Sequence, residues 1–308
     1  MAKRWNKRIL LAKVETSYGT DAAPTGAADA VLCRDLELGV EAELLDRELV
    51  RPTLGDLPAL SALRRATVDC EIELAGSGAA GTAPAWGTLL RGCGLAETVT
   101  AGVKVQYDPA SSNHDSLTLY WYADGLVHKL VGCRGTVSLS LEAGQIPTMR
   151  FRFTGLYQDP TDEALPSADV SAWKTPAVPS KAATPTFTLH GVTAIARSAG
   201  VDLANQVTFR DMIGASDVNI VDRSVTGSAV IEAVPVATKN WHSLAAAGTL
   251  GALSVVHGTQ AGQIVELSAS AVQIRDVRYE EQDGIIYHAL DLGFTETSGD
   301  DEIALIAR

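Results

Sequence analysis

From Ser116 to Phe153 apolar and polar residues trade places every second position. The first run, Ser116 to Tyr122, turns at Ala123-Asp124-Gly125 into Leu126 to Val131. A further run, Thr136 to Leu141, turns at Glu142 to Gln145 into Thr148 to Phe153. Alternation punctuated by Gly and Asp-Gly predicts an antiparallel meander with one buried face. The pattern returns near the C-terminus as Ala252 to Val256, Gly262 to Leu267, Ala271 to Val277, the turn Gln282-Asp283-Gly284, and Ile285 to Phe294.

Upstream, Thr67 to Leu74 alternates cleanly, with Val68, Cys70, Ile72 and Leu74 on one face and Asp69, Glu71 and Glu73 on the other. Three carboxylates on one face of a strand place that face against water or a cavity. Ala30 to Leu38 predicts a first strand. Glu41 to Leu63 lacks strand or helix spacing while holding Leu44, Leu45, Leu49, Arg51, Pro52 and Leu54, and it predicts a long contact loop. Thr82 and Pro84 predict the start of a short helix that shows Trp86, Leu89 and Leu90 on one face, and Gly92 and Gly94 stop it.

Residues 1–30 predict an extended arm, whose Trp5 and Tyr18 suggest docking on something such as a neighbouring subunit. Residues 158–186 are scattered with prolines and predict a semi-stiff linker between a unit at 31–157 and a second at 187–308. The second unit repeats the first in order. Val207 to Gly214 matches the long loop, Arg223 to Ala233 matches the carboxylate strand, and Trp241 matches the Trp86 helix; the second meander follows. This order predicts a duplication. The second unit lacks most of an insert from Glu97 to Asp115.

At 308 residues the chain can bury a core in each unit. Hydrophobic residues make up 46% and aromatics only 6%, a balance that fits sheets and tight turns better than a deep cofactor cavity. The formal charge of −12 opposes adhesion to nucleic acid or anionic membranes. Cys33, Cys70, Cys93 and Cys133 form no C-x-x-C pair and read as free buried thiols from a reducing compartment. The apolar piece Ile9 to Lys13 is too short for a signal peptide, so the expectation is a chain that folds in a cytoplasm.

Gly76 to Gly81 spells G-x-G-x-x-G. The preceding strand is half exposed, the following helix is short and no parallel βαβ unit follows, so the favoured reading is a glycine-rich surface loop that touches another subunit. His114, His128, His190, His242, His257 and His288 show no ligand spacing, and no nucleophile elbow occurs. The expectation is no enzyme, no cofactor and no metal.

Three stretches are similar to tail tube proteins of long, non-contractile bacteriophage tails: Val14 to Gly26, Asp46 to Gly55, and Glu73 to Gly94. Arg134 to Leu139 and Phe153 to Tyr157 add to the likeness, which spans most of residues 14–157. The resemblance implies two tandem β-sandwich or barrel domains, each with a short flanking helix, whose sheets join between subunits into a closed ring. Stacked rings would form a tube that conducts DNA without binding it specifically. A tape measure protein would fill the tube, with tail terminator and distal tail proteins at its ends and no membrane involved. Six domains per ring is the common plan, so two per chain imply a trimer with pseudo-sixfold symmetry; a hexamer of chains is the alternative. Leu49, Arg51, Pro52 and Leu54 are the expected ring-stacking residues, and Asp69, Glu71 and Glu73 the expected acidic wall of the lumen. Assembly is expected in the host bacterial cytoplasm. The alternative reading is a two-domain β-sandwich binding or adhesion module of a virion, with Tyr120, Trp121 and Tyr122 as its exposed aromatics.

Overall fold

The computed structural model describes residues 2–308. It is mainly β, with two short helices. The first half holds β1 (Arg8–Val14), β2 (Ala30–Val31), β3 (Arg34–Leu45), β4 (Leu60–Glu73), α1 (Gly87–Gly92), β5 (Leu95–Thr100), β6 (Lys104–Pro109), β7 (Leu117–Ala123), β8 (Val127–Glu142) and β9 (Thr148–Tyr157). The second half holds β10 (Thr186–Leu189), β11 (Val192–Thr193), β12 (Ala196–Asp202), β13 (Asn205–Met212), β14 (Ala215–Arg223), β15 (Thr226–Glu232), α2 (Trp241–Ala247), β16 (Leu250–His257), β17 (Val265–Gln282), β18 (Ile285–Phe294) and β19 (Ala304–Ala307).

The hydrogen-bonded order in the first half is β2–β1–β7–β8–β9–β4–β3, all antiparallel. In the second half it is β11–β10–β16–β17–β18–β15–β12. The two orders meet where β12 runs along the far part of β8, with Ser198 opposite Glu142 and Asp202 opposite Ser138. The halves meet again where β19 bridges β17 and β6. The expected insert therefore becomes the β5–β6 hairpin that receives the end of the chain.

The alternating runs bury the faces they predict. Val68, Cys70 and Ile72 of β4 lie beside Met149, Phe151 and Phe153 of β9, all fully buried. α1 covers this face with Leu89 and Leu90, and Trp86 donates its indole N–H to Ala75 O at 2.7 Å. Each such aliphatic side chain contributes about 1.5–3 kcal/mol by leaving water. The helix starts at Gly87 with Trp86 as its N-cap, so Thr82 does not cap it. α2 has the sharper ends: Asn240 accepts from the Ser243 N–H, and Gly248 closes it in the left-handed region at φ 61°.

The structure departs from the sequence pattern in six places. β7 is buried on both faces, because Tyr120 and Tyr122 form a second small core with Leu11, Ala30 and Val127. The runs on either side of Gly132 to Gly135 are one strand with a bulge between Val131 and Arg134, and the runs on either side of Ser268 to Ser270 are likewise one strand, β17. The N-terminal arm is not free: β1 pairs with β7 over its whole length, and Leu10 and Leu11 are buried. The long loop is mostly a hairpin. β3 and β4 stay paired out to Leu45 opposite Leu60, leaving 46–59 as the loop. Both faces of that extension are exposed, so no alternation marked it. Val207 to Met212 is also strand and Ile213-Gly214 its turn, part of the separate β13–β14 hairpin. The proline-rich stretch is tied down on both halves: Trp173 Nε1 donates to Ala30 O at 2.9 Å and Thr161 bridges Val127, while Ala183 O accepts from the Gly258 N–H at 2.7 Å.

Candidate functional site

Through the β8–β12 joint, eight strands form one ribbon in the order β3–β4–β9–β8–β12–β15–β18–β17. One face of the ribbon belongs to the core. The other carries polar residues from strand to strand, because every strand keeps its period of two. Both ends of the ribbon are open among the described residues. β3 has no partner beyond β4, and β17 loses β16 after Gln273, which leaves its far part unpaired on that side. Open edges present rows of unpaired N–H and C=O groups, the groups through which sheets join.

The joint inside the chain shows how such an edge is completed. The Leu203 N–H donates to Val137 O at 3.0 Å, carrying the pairing beyond β12. Asn205 then donates its side-chain N–H groups to Cys93 O at 2.7 Å and Gly135 O at 3.0 Å. The β13–β14 hairpin folds over the first half, where Arg134 donates to Val218 O at 2.9 Å and Tyr18 Oη accepts from the Val218 N–H. Tyr18 of the predicted arm thus docks within its own chain. Its neighbour Glu15 is the residue sequence reasoning missed. This buried carboxylate accepts from Gly132 N–H, Gly19 N–H, Ser116 Oγ and Thr118 Oγ1. A charged residue directly after a buried apolar strand is the only trace it leaves in the sequence.

Asp69, Glu71 and Glu73 lie together on the polar face of β4, as the alternation requires. They do not lie alone. Asp69 stands opposite Arg152 and Glu71 opposite Arg150, and Arg34 donates to Glu71 through Nε at 2.7 Å. At the other end of the ribbon Arg278 pairs with Asp291 at 2.7 Å and Asp276 at 3.8 Å. The face is polar and charge-mixed rather than uniformly acidic.

Leu49, Arg51, Pro52 and Leu54 come together on the loop at the far end of the β3–β4 hairpin. Val50 and Leu54 are fully exposed there. The tip mixes these apolar side chains with Arg47, Glu48 and Arg51 and is held out on a two-stranded stem.

The glycine-rich loop Gly76 to Gly81 touches the second half of its own chain. Gly78 N–H donates to Gly262 O at 2.8 Å. A Cβ on Gly76 would stand 2.2 Å from that same oxygen. Glycine is needed for the approach of two backbones, and the space a phosphate would take holds the Gly262–Gln263 turn. Tyr120, Trp121 and Tyr122 are buried, so these three do not form the exposed aromatic face expected of an adhesion module. The four cysteines are free; burial pushes the Cys33 thiol up to about 12 and the other three well above their ordinary value. Among the described residues no cluster of His, Cys, Asp and Glu is placed to hold a metal, and no helix is long and apolar enough to cross a membrane.

No curated protein matches the chain. A family profile described as phage tail tube protein matches residues 5–295, from before β1 to just past β18. Two open-ended sheet halves sharing one core, with a match over nearly the whole length, place this chain in the phage tail tube protein family as a structural protein of the virion tail.

Proposed function

We propose that this protein assembles into closed rings that stack into the tail tube, and that the polar face of the eight-stranded ribbon lines the bore through which DNA passes. The observation that carries the reading is the ribbon itself: a continuous sheet open at both ends, whose two halves have the same pairing order. The recurrence supports two duplicated tube domains per chain, at 31–157 and 187–308. Three chains would then make a ring with pseudo-sixfold symmetry. Three ribbons of eight strands, at about 4.8 Å per strand, give a wall of about 115 Å and a diameter of about 37 Å across the backbone, which strand tilt widens. A heterologous contact that closes gives a ring, and stacking gives a filament.

In this reading Asp69, Glu71 and Glu73 face the lumen together with Arg150 and Arg152. A wall of mixed charge offers DNA no continuous basic track, and screening confines the field of each carboxylate to about 8–10 Å. Leu49, Arg51, Pro52 and Leu54 serve as the ring-to-ring contact. A tape measure protein fills the bore during assembly in the host cytoplasm, with terminator and distal tail proteins at the two ends. The role asks for no catalytic site. Electron microscopy of the purified protein at high concentration tests the proposal. Rings or tubes are expected, with the β4 carboxylates on the bore and the 46–59 loop between rings. Particles that stay single at every concentration would overturn it.

A further inference from the structure

We infer that β3 of one copy closes the open β17 edge of the next, in the manner of the β8–β12 joint. The inference rests on the ring reading above and names the surfaces and register of its lateral contact. The ladders set the equivalences. Val137 opposes Phe151 and Ile274 opposes Leu292, while Phe153-Thr154 and Phe294-Thr295 follow at matched distance. Past the bulge between Ile274 and Asp276, Leu139 corresponds to Val277 and Leu141 to Tyr279. Leu95 and Leu250 each stand nine residues after their helix tryptophan, Trp86 and Trp241. On the other side of the joint Asp202 opposes Thr226, and Glu37 opposes Asp69, which matches Leu203 to Leu38.

Two of the equivalent positions are covered at the internal joint and exposed at the outer edge, while Ile274, the counterpart of Val137, is buried in both settings. Leu95 is 5% exposed and Leu141 7%, whereas Leu250 is 51% exposed and Tyr279 65%. Leu95 lines a small apolar space together with Leu203, Ile303 and Leu305 of the second half and Tyr107 of its own. Leu38, the counterpart of Leu203, is half-buried, and no residue occupies its place against Leu250. The backbone repeats the contrast, since β8 finds β12 and the equivalent part of β17 finds no strand. A second copy of this chain is the occupant: its β3 offers an open edge on which Glu37 and Leu38 stand where Asp202 and Leu203 stand, with an added bulge between Arg34 and Glu37. The β3–β4 hairpin would then lie over the neighbour as β13–β14 lies over the first half, which carries the 46–59 loop outward to the next ring.

Two variants test the joint. Leu250→Arg changes a side chain that is exposed in the single chain, so its urea midpoint should stay at the wild-type value. Its tube yield at matched concentration should fall by roughly 30-fold or more, the loss expected when a buried contact residue is replaced by a charge. The double variant Glu37→Cys/Asp276→Cys places two surface thiols opposite each other across the joint. Within one chain they lie at opposite ends of the ribbon, about 34 Å apart along the sheet, so any bond between them joins two copies. Mild oxidation of tubes should give a ladder of dimers and trimers that neither single variant gives. Wild-type tubes together with normal L250R tubes, or with no ladder, overturn the joint and leave the ring reading standing. Wild-type protein that forms no assembly at all overturns both.

Discussion

Removing the Glu15 carboxylate should destabilise the fold more than almost any other single polar change. Oε1 accepts from Gly132 N–H at 2.7 Å and Thr118 Oγ1 at 2.9 Å; Oε2 accepts from Ser116 Oγ at 2.6 Å and Gly19 N–H at 2.8 Å. Four donors converge on a group that only accepts, in a site that is 7% exposed. Hydrogen bonds to charged groups contribute about 1.5–3 kcal/mol each, and a buried donor left without a partner costs about 1–3 kcal/mol. The two hydroxyls can turn to other acceptors; the two backbone N–H groups cannot. Glu15→Ala should therefore cost about 3–5 kcal/mol, with most of the loss from Gly132 and Gly19. Glu15→Gln keeps one acceptor oxygen and points an NH2 at donors, so it should cost about 2 kcal/mol. Urea unfolding of dilute, unassembled protein, followed by tryptophan fluorescence, measures both. Equal losses for Ala and Gln, or an Ala loss under about 1 kcal/mol, would show that the site is held by packing and not by its acceptor.

Three further outcomes are expected. Gly76→Ala forces a methyl group against Gly262 O and should lower stability by about 1–3 kcal/mol; an unchanged urea midpoint would mean that the two halves are not in backbone contact there. His128, His190, His257 and His288 are all held below their ordinary value of 6.5 by burial. The unfolded chain thus takes up protons at a pH where the folded chain does not, and stability should fall as pH drops below about 6.5. A urea midpoint that is flat between pH 7.5 and 5.5 would refute this. Deleting Arg47 to Leu54 removes an exposed loop tip and should leave a folded chain of unchanged thermal midpoint that makes no tubes, as microscopy would show; normal tubes would exclude the loop from stacking.

Much of the fold was legible in local pattern. β4, β9 and the later part of β8 each bury one face and wet the other, so the alternation of their own residues places them. The two tryptophan helices were legible for the same reason, since each is a short segment whose neighbours along the chain decide its form. The pattern failed wherever burial did not split between two faces. β7 is covered on both sides by distant segments, the outer β3–β4 hairpin is covered on neither, and β1 buries Leu10, Leu11 and Ala12 in succession and so shows no alternation. The acidic row was legible on β4, but its countercharges Arg150 and Arg152 come from β9, and only the register of β4 against β9 brings them opposite.

The chain's own order of residues thus specifies which segments are strands and which side of most of them is apolar. Which strand lies beside which, where β12 completes β8, and which edges are left without a partner depend on contacts between residues far apart in sequence. A period of two records burial at one residue at a time; it carries no information about the hydrogen-bonding neighbour, and an edge is defined only by that neighbour's absence.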